Sequence, residues 1–98
     1  MEVEFIESDL ARLEVEKEFM AGYDRAVIRG FRKVMQAIRA APDERDLYAL
    51  RGLRMEKLLG KRQHQHSLRI NDQWRLIIQI LGRGSDKTIR VVAIEDYH

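Results

Sequence analysis

The chain has no cysteine, a single proline and no long apolar run. Without cysteine there is neither a disulfide framework nor a thiolate metal site. The longest apolar stretch, residues 76–81, is interrupted by Gln79, far short of the roughly 20 residues that a membrane-crossing helix needs. Met1-Glu2-Val3-Glu4 is acidic, with no basic segment leading into an apolar one. No secretion signal is therefore expected, and the cytosol is the expected location. Negative charge is scarce in the second half: residues 49–98 hold 10 Lys/Arg against 5 Asp/Glu, whereas residues 1–48 hold 8 against 11. Of the 18 basic residues 13 are arginine, the cation suited to flat, two-pronged recognition of phosphate. The basic half is thus the half expected to meet an anionic partner such as nucleic acid.

At 98 residues, 45% hydrophobic and 35% charged, the chain reads as one domain spanning 1–98, large enough for a real core. Residues 2–6 alternate as a short strand. Ser8 is placed to cap a helix over 9–21, with Leu10, Leu13, Lys17 and Met20 on one side. A clearer helix spans 24–41, where Val27, Phe31, Val34 and Ile38 repeat at helical spacing until Pro42 ends it. Gly30 inside that helix costs about 1 kcal/mol, which close approach of another element would explain. Residues 43–48 read as a short helical turn or loop, and 53–59 read as a strand. Residues 82–87 make a glycine-rich loop, and the β-branched run 88–94 reads as a strand buried on both faces. Two helices followed by a run of strands make an α+β domain: N-terminal helices packed on a small twisted antiparallel sheet.

The stretch Arg69-Ile70-Asn71-Asp72-Gln73-Trp74-Arg75 organises the second half. Residues 64–70 and 74–80 alternate, and Asn71-Asp72 between them marks a hairpin. Leu68, Ile70, Trp74, Leu76 and Ile78 then share the core face. Arg69 and Arg75 stand side by side on the other face, a pair suited to phosphate. Cutting RNA without a metal needs a base for the ribose 2′-hydroxyl, cations for the charge growing on phosphate, and a proton donor for the leaving oxygen. Arg75 and Arg69 fit the second task. His98, with a reference pKa of about 6.5, fits proton transfer. Glu56 is a candidate base, and Tyr97 can stack on a nucleobase or donate its hydroxyl. His64 and His66 also share a strand face, but a zinc site needs a third ligand and none is near in sequence. They read as strand-surface histidines.

Gly52-Leu53-Arg54, Leu58-x-Gly60-x-Arg62, the block Ser67 to Arg75 and the terminal Asp96-Tyr97-His98 resemble the HigB branch of the RelE-type toxins, the toxic half of type II toxin–antitoxin pairs. The resemblance implies a compact α+β fold and metal-independent cleavage of messenger RNA in the ribosomal A site, with no cofactor. It implies a HigA-like helix-turn-helix antitoxin, which neutralises the toxin and alone contacts operator DNA. By motif match it assigns Arg75 to the phosphate-stabilising arginine and Asp96, Tyr97 and His98 to the terminal catalytic group. Where many members carry a histidine, this chain has Glu56; where a basic residue often precedes the glycine, it has Leu59. The basic strip from Arg51 to Arg75 is expected to dock ribosomal and messenger RNA, with Arg54, Lys57, Lys61, Arg62, Arg69 and Asn71 as contacts. The alternatives are a ParE-like toxin acting on DNA gyrase without cutting, or an RNA-binding module that has lost catalysis.

Overall fold

The computed structural model describes residues 1–96. It runs through strand β1 (Glu2–Phe5), helices α1 (Ser8–Val15), α2 (Arg25–Ala40) and α3 (Glu44–Ala49), then strands β2 (Glu56–Lys57), β3 (Gln65–Arg69), β4 (Trp74–Leu81) and β5 (Thr88–Asp96). The strands form one sheet in the order β1-β5-β4-β3-β2. All neighbours are antiparallel except β1 and β5, which run parallel. The expected α+β architecture holds, with this one parallel pair where a purely antiparallel sheet was expected. The helices supply Leu10, Leu13, Phe31, Met35, Ile38 and Leu47 to a core closed from the sheet side by Leu68, Leu76, Ile78, Ile89 and Val91.

Helix α1 is shorter than the sequence suggests, ending at Val15 rather than near Ala21. Its apolar stripe explains this. Leu10 and Leu13 are buried, but the next position on that face is Lys17, which is exposed. The helix end is held instead by Arg32 of α2, which donates to the carbonyl oxygens of Leu13 (3.0 Å) and Glu16 (2.9 Å). These carbonyls lie at the C-terminal end of α1, where a cation suits the negative end of the helix dipole. Glu7, not Ser8, occupies the N-cap position, without a side-chain cap.

Helix α2 follows its pattern closely. Asp24 accepts the backbone N–H of Val27 at 3.0 Å and caps the start. Val27, Ile28, Phe31, Val34, Met35 and Ile38 are buried, each worth roughly 1.5–3 kcal/mol of transfer free energy. A Cβ built on Gly30 would lie 2.7 Å from Ile70 Cγ2 and 2.8 Å from Ile70 O. The glycine therefore admits the end of the hairpin against the helix. At the far end of α2 the Met1 ammonium donates to the carbonyl oxygens of Ile38, Arg39 and Ala41, closing the helix where Pro42 stops it.

The hairpin turn is built by Asn71. Its Oδ1 accepts the backbone N–H groups of Gln73 (2.9 Å) and Trp74 (2.8 Å), a side-chain mimic of a backbone turn. Asn71→Ala removes both bonds and is expected to cost about 1–2 kcal/mol, read as a lower thermal unfolding midpoint. Trp74 packs edge-on against Tyr23 with ring centroids 6.1 Å apart, which ties the segment between α1 and α2 to the hairpin.

Three strand expectations are corrected. The strand expected over 53–59 is reduced to Glu56–Lys57, because Arg51–Leu53 is a 3-10 turn and Arg54 sits in the left-handed region at φ +44°. Strand β3 starts at Gln65, leaving His64 exposed in the preceding turn. Strand β5 is not buried on both faces: Ile89, Val91 and Ile94 are buried while Thr88, Arg90 and Ala93 are half-covered. Its pairing with β4 shifts at one point, Ile77 opposing Ala93 and Ile78 opposing Val91, so that Val92 bulges out of the ladder. The glycine-rich loop is anchored: Lys87 donates to Asp43 at 3.0 Å and pairs with Glu44 at the start of α3.

His66 is half-buried on the core side of β3, not on an open strand surface. It meets Tyr48 of α3 edge-on at 6.1 Å. Burial lowers its pKa below 6.5, and its Nδ1 has no hydrogen-bond partner among the described residues. The unfolded chain therefore takes up a proton at a higher pH than the native chain does. Stability should fall as pH drops below about 6.5 and level off once the folded-state pKa is passed. His66→Phe keeps the ring contact and should flatten that part of a denaturation-versus-pH curve. Asp43, held down at about 2 by Arg45 and Lys87, acts in a separate window: its contribution is present above about 3.8 and is lost as pH falls through about 2.

Candidate nucleic-acid interface

The face of the sheet turned away from the helices carries the arginines. Register sets the neighbours: Arg69 of β3 opposes Arg75 of β4, which opposes Glu95 of β5. Ser67 lies opposite Ile77 on one side and Glu56 on the other. Arg69, Ser67, Glu56, Arg75 and Glu95 thus share one face, since side chains on paired residues point the same way.

The two central arginines differ from the open, side-by-side pair that alternation suggests. Arg75 is only 6% exposed. Its Nη2 donates to Arg54 O at 2.6 Å and to Ser67 Oγ at 2.9 Å. A buried guanidinium needs acceptors, and the left-handed turn at Arg54 points a carbonyl at it. Arg69 is half-buried and pairs with Asp72 at the hairpin tip. A third arginine joins them. Arg62, in the turn after β2, donates to both carboxylate oxygens of Glu95 at 2.9 and 2.8 Å and to Gln65. Because β3 and β4 lie between Arg62 and β5 in the sheet, this bidentate pair crosses the outer face beside Arg75.

The residues singled out from sequence divide as follows. Arg75, Arg69, Arg62 and Glu56 come together on the outer face, and Arg54 contributes its carbonyl while its side chain is exposed. Lys61 is exposed in the turn beside Arg62. Lys57 opposes His66 and so belongs to the other face of β2. Asn71 spends its carbonyl oxygen on the hairpin turn. Asp96 opposes Trp74, on the core-side parity, and accepts from Gln73 Nε2 at 3.1 Å. Tyr97 and His98 lie outside the described residues.

One outer-face residue escaped the sequence reading. Ser67 was legible, since it shares parity with Gln65 and Arg69. Glu95 was not: uninterrupted alternation from Arg90 would put Asp96 on the arginine face, and the bulge at Val92 exchanges the two positions. The site therefore offers several guanidinium groups whose present partners are protein oxygens, with two carboxylates among them. Such a surface can exchange those partners for phosphate oxygens.

Helices on one face of an open, mostly antiparallel sheet is the fold of the RelE-like toxins. The structure is similar to that of a YoeB/ParE toxin from Agrobacterium tumefaciens, with a TM-score of 0.64 and 20% identity over the whole of both chains. No curated protein matches the sequence. A family model for the RelE-like toxin of type II toxin–antitoxin system HigB matches residues 4–98. The chain belongs to this HigB-like toxin family, and so is the toxin of a type II toxin–antitoxin system with an antitoxin as its partner.

Proposed function

We propose that this toxin is a ribosome-dependent endoribonuclease that cleaves messenger RNA in the cytoplasm without a metal or cofactor. The observation that supports this most is the outer-face cluster: Arg69 and Arg75 in direct register, Arg62 folded across beside them, and Glu56 one strand away through Ser67. A phosphate entering this face replaces Asp72 on Arg69 and Glu95 on Arg62. Arg75, already fixed by Ser67 and Arg54, supplies positive charge without reorganising as the transition state forms. Glu56 takes the 2′-hydroxyl proton, and His98 with Tyr97 completes the proton transfers. Arg54, Lys57 and Lys61 hold the RNA backbone at the rim. The antitoxin is a HigA-like helix-turn-helix protein, and operator DNA is reached only through it.

A second reading, an RNA-binding module without catalysis, is favoured by one observation: the near-complete burial of Arg75. Induced expression separates the two. The nuclease reading expects growth arrest with cuts inside translated messages, abolished by deleting Tyr97 and His98. Intact messages with salt-sensitive RNA binding would replace it with the second reading. Intact messages with a DNA-damage response would point to gyrase.

A further inference from the structure

The outer face of the sheet buries one apolar side chain that belongs to no core. Ile77, opposite Ser67 on β3 and Ala93 on β5, is 2% exposed yet stands apart from the helix-side cluster. Arg62 lies across this row. Its Nε donates to Gln65 Oε1 at 2.9 Å, and its two terminal nitrogens donate to the Glu95 carboxylate at 2.9 and 2.8 Å. Gln65 stands in the row of Gln79, on one side of Ile77, and Glu95 in the row of Arg69 and Arg75, on the other. One guanidinium therefore reaches from flank to flank, next to Arg75.

The turn that carries Arg62 is otherwise lightly held. Leu58 N–H bonds the Gln65 carbonyl oxygen at 2.9 Å, but β2 pairs with β3 through two residues only. The backbone bonds of the 3-10 turn Gly60–Arg62 are long, Arg62 N to Leu59 O at 3.4 Å and Gln63 N to Gly60 O at 3.3 Å. The side-chain bonds of Arg62 thus do much to fix the turn. The Arg62 and Glu95 side chains are both close to half exposed, so their pair is modest in strength and exchangeable.

We propose that Arg62 and Glu95 form a latch over the outer face, and that RNA opens it by offering phosphate oxygens in place of the carboxylate. Closed, the latch holds the turn 60–62 across Ile77 and keeps Arg62 from the substrate. A phosphate presents two oxygens to the same planar fork, so the exchange is one for one and leaves Glu95 beside its register neighbour Arg75. Glu95 is then a positioning residue that sets how readily the face accepts nucleic acid. Asp72 plays no such part: it is three residues from Arg69 with an almost wholly exposed side chain, and it gives way without moving a turn. The latch rests on the reading of the outer face as the RNA site.

The test is fluorescence anisotropy on the full chain, with a labelled single-stranded RNA whose 2′-hydroxyls are methylated so that binding is read without cleavage. Glu95→Gln should bind about two- to fivefold more tightly than wild type. Its logarithmic salt slope should steepen by about 0.7, because Arg62 no longer leaves behind a carboxylate that takes up a cation. Arg62→Ala should weaken binding more in the Glu95→Gln background than in the wild type, a coupling that a merely structural role would not produce. Glu95→Gln alters a half-exposed group at constant size and should keep the wild-type circular dichroism spectrum. Unchanged or weaker binding by Glu95→Gln overturns the latch. So does an equal effect of Arg62→Ala in both backgrounds, or no RNA binding by any variant. Ribosomes with unmodified message separate this from the nuclease reading. No cuts by any variant, with the affinity pattern intact, removes the nuclease and supports the latch. Cuts by the wild type, with no gain in affinity for Glu95→Gln, remove the latch and leave the nuclease.

Discussion

Replacing Arg75 with alanine is expected to lower RNA cleavage by about a hundredfold or more and to relieve the growth arrest caused by the unaltered chain. Two effects combine. The catalytic one is loss of the central outer-face cation, the group with the most fixed geometry. The structural one follows from its hydrogen bonds: Ser67, 2% exposed, loses the donor to its hydroxyl, and the Arg54 carbonyl loses the bond that steadies a left-handed turn. A stranded buried acceptor costs about 1–3 kcal/mol, so the variant should also melt earlier. Ser67→Ala separates the two. It removes one acceptor, keeps the guanidinium, and should reduce stability while cleavage persists. Cleavage sites mapped by primer extension, with folding followed by circular dichroism, decide the matter. A folded Arg75→Ala protein that cuts at the original rate removes Arg75 from the chemistry.

Gly30→Ala is expected to destabilise the chain, although alanine is the better helix former by about 1 kcal/mol. The added methyl would meet Ile70 Cγ2 at 2.7 Å and the Ile70 carbonyl oxygen at 2.8 Å. A side chain can yield, but the oxygen belongs to the end of the hairpin and cannot move without shifting the turn. Overpacking of this kind costs roughly 1–3 kcal/mol, and each kcal/mol lowers the midpoint of a domain this small by about 4–8 °C. Adding Ile70→Ala removes the methyl contact but not the carbonyl contact, so it should not rescue. A Gly30→Ala protein more stable than the parent would show that the helix and hairpin do not press together here.

Much of this arrangement is visible in the residues alone. The period of α2 and the alternation of β3 and β4 are strong because each packs an apolar face on the core, which fixes register. The same logic paired Arg69 with Arg75 and anticipated a close neighbour at Gly30. What stayed hidden depends on contacts distant in sequence. The early stop of α1 rests partly on Arg32, 19 residues after Leu13. The left-handed turn at Arg54 is tied to a guanidinium 21 residues on. The exchange of Glu95 for Asp96 rests on a single bulged residue. The burial of Arg75 was equally hidden, since alternation gives a side chain's direction but not what covers it.

The strand order has a further consequence, for behaviour in concentrated solution. The two longest strands, β4 and β5, are interior in the strand order, with β1 pairing β5 over Thr88–Val91, while the rims are β1, with four residues, and β2, with two. Exposed Glu2 and Glu4 stud one rim, and exposed Glu56 and Lys57 the other. A neighbouring molecule finds only short rim strands to extend and meets charge where it tries. Lateral recruitment into fibres is therefore disfavoured, and an overproduced chain should stay dispersed for as long as it stays folded.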